Sequence, residues 1–393
     1  MRLDRLYLDY NATSPLSKSV TDWLKSGEVI FANPSSQHTN GKAARKLINE
    51  SRAQIYSTFG KNEKTTKLFF HSGATESFMT FAYSFSEMAR LQGKELLICY
   101  SRIDHPAVVN LNERYFGPHV KFTELQRTTD LAYDDEVNFT YLQDKKADNP
   151  QLIILYHHLW VHNETGLISP LTPLKKFKSI PDLYIHVDAA QAIGKIADWN
   201  KLEVGDVWTF SGHKFGAMKG IGFTLMDASI PFYPLFAGGG QQQGLRSGTE
   251  NPQGIKSLAL ALNDVMKIDV KCMAFLRATF ESRLKHELKE LGDVIGLGKS
   301  KASNTIYFYF NELSSDISLA MFDLRGLEIS AGSACSSGTA QESMVLKQAG
   351  LLSVAKNGLR ISLPLEFNEA YLNGLIERII PLLGKLRLSL PAQ

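Results

Sequence analysis

A chain of 393 residues exceeds what one hydrophobic core usually serves, so two packed units, one large and one small, are expected. With 44% hydrophobic and 21% charged residues the chain has globular proportions and can bury a core without disulfides or metals. Its 43 basic and 40 acidic residues, with no basic block, argue against direct contact with nucleic acid; no apolar run reaches the ~20 residues that span a bilayer, and the start lacks a signal-like segment, so a cytoplasmic protein is expected.

In chain order, Ala43, Ala44, Leu47, Ile48, Ile55 and Phe59 mark one face of a packing helix. Short apolar runs then alternate with helical patterns, which predicts a mostly parallel sheet covered by helices, with strands near 67–71, 95–100, 151–157, 183–188, 207–211 and 222–226. From about Pro252 the pattern changes. A segment over 254–267 precedes a long helix with Met273, Leu276, Phe280, Leu284, Leu288 and Leu291 on one face; short strands follow near 305–310, 327–330 and 359–363. A last helix starts near Asn368, and Pro381 should kink or end it. These features predict a large domain over 17–252 and a smaller α+β domain made of 1–16 and 253–393.

Ligands of open α/β sheets bind beyond the carboxyl ends of the strands, so the residues delivered there are the candidates for chemistry. The run 67–71 ends in Ser72-Gly73-Ala74-Thr75-Glu76, a turn into a helix whose backbone N–H groups and dipole suit a phosphate, with Ala74 and Thr75 as contacts. The run 183–188 ends in Asp188. Alone, this residue reads first as a helix N-cap; it also suits the carboxylate that keeps a pyridine nitrogen protonated. The run 207–211 ends in Ser211-Gly212-His213-Lys214, where Ser211 and His213 can donate to a phosphate. A lysine there is usually a solvated charge; paired with Asp188 it reads as an amine that forms an imine with an aldehyde. His105 follows another strand and could stack on a ring. His157, His158 and His162 fall on alternating faces or in a loop with no carboxylate repeat, so no metal site is expected.

Three cysteines without CxxC spacing predict free thiols. Cys99 lies in an apolar strand, whereas Cys335 lies in a run of small residues, 330–338, expected to form an accessible loop.

Taken together, the segments Tyr7 to Thr13, Asn33-Pro34-Ser35-Ser36-Gln37-His38, Gly73-Ala74-Thr75-Glu76, Asp104-His105, Asn163-Glu164-Thr165-Gly166, Asp188-Ala189-Ala190-Gln191, Ser211-Gly212-His213-Lys214, Gly238-Gly239-Gly240-Gln241-Gln242, Arg246-Ser247-Gly248-Thr249 and Gly332-Ser333-Ala334-Cys335 occur in the order found in one group of enzymes. The chain resembles the cysteine desulfurases of the class V aminotransferase group, which have the α/β fold of fold-type I pyridoxal 5'-phosphate (PLP) transferases: a mostly parallel seven-stranded sheet plus a smaller α+β C-terminal domain. The resemblance implies that Lys214 carries PLP as a Schiff base, Asp188 pairs with the ring nitrogen, Gln191 and Asn163 contact the ring hydroxyl side, and His105 stacks on the ring. It implies a phosphate held by Ala74, Thr75, Ser211 and His213, with Thr249 reaching it from the second subunit of a homodimer. Asn11 and Arg360 would bind the substrate, L-cysteine, with Arg360 on its carboxylate. Cys335 would be the nucleophile that accepts sulfur as a persulfide, for delivery to an acceptor protein in iron–sulfur assembly or RNA thiolation.

The sequence departs from the group's pattern at His162, Trp160, Phe78-Met79 and Gly216-Ala217-Met218. Other readings are a different PLP reaction on the same fold, such as an aminotransferase or selenocysteine lyase, or a non-catalytic scaffold for sulfur transfer. Cys335 speaks against a transaminase, and Lys214, Asp188, His105 and Arg360 speak against a scaffold.

Overall fold

The computed structural model describes residues 5–111, 113–331 and 342–389. Strand β1 (Leu6–Tyr7) belongs to the smaller unit. The central sheet is built from β2 (Thr66–His71), β3 (Leu96–Tyr100), β4 (Val120–Glu124), β5 (Ile153–Leu159), β6 (Leu183–Asp188), β7 (Val207–Ser211) and β8 (Gly222–Asp227), in the order β2-β8-β7-β6-β5-β3-β4. Only β8 runs against its neighbours. The link between β7 and β8 is too short for a covering helix, so the chain must turn straight back. Gly222 makes that turn fit: a Cβ there would lie 2.5 Å from the carbonyl oxygen of Phe210 and 2.7 Å from the His71 ring.

Because β2 pairs antiparallel with β8, and β8 with β7, the carboxyl ends of β2, β7, β6, β5 and β3 all reach one rim. Strand β5 lies inside the sheet and is buried along its whole length, His157 and His158 included, because both its faces are covered. Six of the seven strands fall within two residues of the expected segments. The exception is β4, an edge strand in which only Val120 is buried, so it offers no apolar run to read. The helix Thr39–Thr58 buries Ala44, Ile48 and Ile55, while Ala43 is exposed.

The smaller unit pairs β9 (Gly292–Val294), β10 (Thr305–Phe310), β12 (Ser330–Ala331) and β13 (Gly358–Ser362) in the antiparallel order β12-β13-β10-β9, and β1 lies parallel to β11 (Leu327–Glu328). Through β1 the N-terminal segment lies against this unit, and Leu8 is buried in its core. The division expected after residue 252 does not follow the cores. Ile255, Leu258, Ala261, Leu262 and Val265 of the helix Pro252–Val265 are buried with the central sheet, and the smaller core begins with Met273 of the helix Val270–Leu288. Pro381 does not end the last helix, Glu369–Ser389, which continues through it. Leu375, Ile379, Leu382 and Leu383 are buried on both sides of the proline. Their packing outweighs the lost backbone bond, a penalty of about 3 kcal/mol. No helix among the described residues is long and apolar enough to cross a membrane.

Candidate active site

Strands β6 and β7 are parallel neighbours, and their carboxyl ends bring Asp188 and the Ser211-Gly212-His213-Lys214 turn to the same place on the rim. No helix follows Asp188; its Oδ1 accepts the N–H of Ala190 at 2.9 Å in a local turn. Burial raises the Asp188 carboxyl above its ordinary value, opposed by the Ala190 N–H and by the nearby His105 and Lys214. Lys214 donates to the backbone oxygens of Asn11 (2.8 Å) and Ala12 (2.9 Å), so its amine rests on the N-terminal segment. That segment is itself pinned across the lysine turn by the bonds Ser14 N to His213 O and Ser17 N to Gly216 O.

His105 Nδ1 accepts the N–H of Ala107 at 3.1 Å, which leaves the ring proton of the neutral imidazole on Nε2. Burial lowers its proton affinity, with Lys214 acting in the same sense and Asp188 against it. His213 lies beside Thr13, with Nδ1 3.3 Å from Oγ1, and burial lowers it to about 4. Ser211 is buried at the end of β7.

At the end of β2, the helix Ala74–Leu91 begins with no side-chain cap, and the space beside Gly73 is open. Ala74 and Thr75 therefore present helix N-terminal N–H groups to the rim. The loop carrying Thr249 is tied to this turn by the Arg246 Nε bond to Glu76 Oε1 (2.9 Å), and Gln242 continues the edge of β2 by bonding both the N–H and the carbonyl of Phe70. Thr249 itself is exposed.

Across the rim, Arg360 of β13 donates to Asp9 Oδ1 (2.6 Å) and to the Asn163 carbonyl (3.0 Å), and its buried Nε has no hydrogen-bond partner among the described residues. The Asn163 carboxamide takes no part in these bonds. Asn11 differs from expectation in its availability. Its Nδ2 bonds Thr305 Oγ1 and the Asn163 carbonyl, and its Oδ1 accepts from Lys195 and Asn304, so its side chain knits the two units together. Cys335 lies outside the described residues. Cys99 is buried, and burial pushes its thiol well up.

The residues fit PLP on four counts: an uncapped helix start with open space for a phosphate, a buried carboxylate for a ring nitrogen, a lysine amine near that carboxylate, and a buried guanidinium nitrogen with a donor to spare. Residues 6–371 match the family described as aminotransferase class-V. The chain belongs to that family. It is 32% identical to the cysteine desulfurase IscS of Dictyoglomus turgidum, over 98% of this chain and 96% of that protein. It is 30% identical to a cysteine desulfurase of Nostoc sp., over 98% and 94%. Among solved structures, a NifS-like protein superposes with a TM-score of 0.82 at 26% identity, covering 97% of this chain and 99% of that one. A structure titled SspA in complex with cysteine gives 0.72 at 29%, covering 91% and 98%.

Three of the departures from the family pattern, His162, Phe78 and Trp160, make visible contacts. His162 Nδ1 accepts from the N–H groups of Glu164 and Thr165 while Nε2 donates to the Ile103 carbonyl (2.9 Å), so the imidazole bridges the Asn163 loop to the His105 loop. Phe78 packs edge-on against His157 at 5.0 Å, and Trp160 against Trp208 at 5.4 Å. His157 and His158 are core residues: His157 bonds His186, and His158 stacks on Tyr133.

Three groups near the rim escape a reading of the sequence. Asp9 partners Arg360. Glu164, beside Ser343 and Tyr307, is raised by burial to about 7. Lys195 is fully buried behind Gln191. The first two sit inside motifs that could be noticed, but nothing in Ala192-Ile193-Gly194-Lys195 signals a buried amine.

Proposed function

We propose that this chain is a PLP-dependent cysteine desulfurase that converts L-cysteine to L-alanine and leaves the sulfur as a persulfide on Cys335, for transfer to an acceptor protein. The observation that carries the reading is the convergence of Lys214, Asp188 and His105 beyond the carboxyl ends of β7, β6 and β3, with Arg360 across the rim.

PLP, when bound, supplies an electron sink for charge developing at the substrate α-carbon. Lys214 would hold its aldehyde and, once displaced by the substrate amine, move the α-proton on Nζ. Asp188 would face the ring nitrogen, whose positive charge offsets the cost of burying the carboxylate. Ala74 and Thr75, with Ser211 and His213, would hold the phosphate, and Gln191 and Asn163 the ring-hydroxyl side. His105 would lie over the ring with its proton on Nε2. Arg360 would turn its fork to the substrate carboxylate. The Cys335 thiolate would attack the substrate sulfur, forming the S–S bond as the substrate C–S bond breaks; the carbon takes a proton and leaves as alanine. Atoms balance as cysteine plus enzyme thiol giving alanine plus enzyme persulfide.

A homodimer is part of this proposal. Thr249 is exposed in the single chain, as are the aromatic rings of Phe31 and Phe236, which a second copy would cover. The acceptor is a protein of a sulfur-using pathway, for which iron–sulfur assembly and RNA thiolation are two examples. The test is alanine and sulfide production from L-cysteine and a reductant. Cys335→Ser should keep the yellow cofactor and lose both products, and unchanged turnover by that variant rules out the sulfur-transfer role.

A further inference from the structure

Lys195 is 1% exposed, yet among the described residues its amine bonds to no carboxylate; it donates to Asn11 Oδ1 at 3.0 Å and to Gln191 Oε1. Burial holds this amine well below the ordinary lysine value, and the nearby Lys214 and Arg360 push it the same way. A buried amine without a counter-ion is expensive to keep, so its use lies in where its N–H groups point. A carboxamide can sit either way round, and a donor fixed on its oxygen decides which. With Oε1 held by Lys195, Gln191 turns its NH2 group to the Asn11 carbonyl at 3.0 Å, the same oxygen that accepts Lys214 Nζ at 2.8 Å.

We propose that Lys195 is a positioning residue: by bonding the side-chain oxygens of Gln191 and Asn11, it keeps the Gln191 NH2 group beside Lys214, where that donor serves the ring oxygen adjacent to the PLP aldehyde. The inference rests on the cofactor reading above. A donor on that oxygen stabilises its anionic form and so lowers the proton affinity of the neighbouring nitrogen of Lys214. Asp188, His105, His213 and Lys195 are the other ionisable groups acting around that nitrogen. Losing the amine of Lys195 frees the Gln191 carboxamide to turn, and the loss of that fixed donor raises the nitrogen's proton affinity.

The experiment is a pH titration of the visible absorbance band in PLP-loaded wild type, Lys195→Met, Gln191→Ala and the double variant. The midpoint should rise by about one pH unit in Lys195→Met. The double variant should titrate with Gln191→Ala alone, because the two residues act in series. A wild-type midpoint in Lys195→Met overturns the proposal, and so does an additional shift in the double variant. Should Lys195→Met fail to fold, the double variant decides alone, since it no longer strands the Gln191 oxygen. A wild type that takes up no PLP instead overturns the cofactor reading, which keeps the two failures distinct.

Discussion

Two clusters of cations, one inside the smaller unit and one at the rim, are partnered differently. In the smaller unit, Glu281 takes Arg277 on one oxygen and Lys301 on the other, and all three side chains are nearly inaccessible. At the rim, Lys195 donates to the side-chain oxygens of Asn11 and Gln191, Lys214 donates to the carbonyl oxygens of Asn11 and Ala12 near the Asp188 carboxylate, and Arg360 pairs with Asp9. Cations bridged by a carboxylate are satisfied by the protein itself. The rim groups lie where an anionic cofactor and an amino-acid carboxylate would meet them.

The largest test of this contrast is Lys214→Ala. It should yield a colourless protein with alanine formation at background, measured by absorbance and product assay, while its thermal stability stays near wild type because a partly exposed amine on backbone carbonyls carries little of the fold.

Glu281→Ala should do the reverse. Stranding two buried cations costs about 3–5 kcal/mol in urea unfolding, with turnover per folded molecule unchanged. If turnover falls in step with stability, the two clusters are not independent.

Arg360→Lys keeps the charge and loses the planar fork. It should raise KM for cysteine about 30- to 100-fold, a loss of roughly 2–3 kcal/mol, with a smaller effect on kcat.

The smallest effect concerns Glu164, near Arg360, whose carboxyl burial raises from 4.5 to about 7. A folded-state value above the unfolded one means that its contribution is complete below about pH 4.5 and is lost as pH climbs through 7. Relative to Glu164→Gln, wild type should therefore lose about 1–2 kcal/mol between about pH 5 and pH 8. Parallel urea-stability profiles for the two proteins would show that the carboxyl is not held neutral.

The local parts of this molecule are readable because local physics sets them. Strands β6 and β7 coincide with their expected bounds, since each is a short apolar run closed by polar residues, and the same runs deliver Asp188 and Lys214. Strand β4 has no such run, β9 has only three residues, and the helix Pro252–Val265 shows an apolar face without saying which core it enters. Asn11 reads as a substrate ligand but spends its amide on Thr305, Asn304, Lys195 and the Asn163 carbonyl, bonds reaching up to 294 residues along the chain.

What the sequence by itself determined is the alternation of elements and the chemistry carried at each strand end, because periodicity and residue type act over a few neighbours. Only the tertiary structure decided which of those ends share a rim, that Lys195 is buried with no carboxylate of the described residues on its amine, and that Pro381 stays inside a helix. Those outcomes depend on contacts between segments far apart in the chain, where packing and desolvation outweigh any local preference.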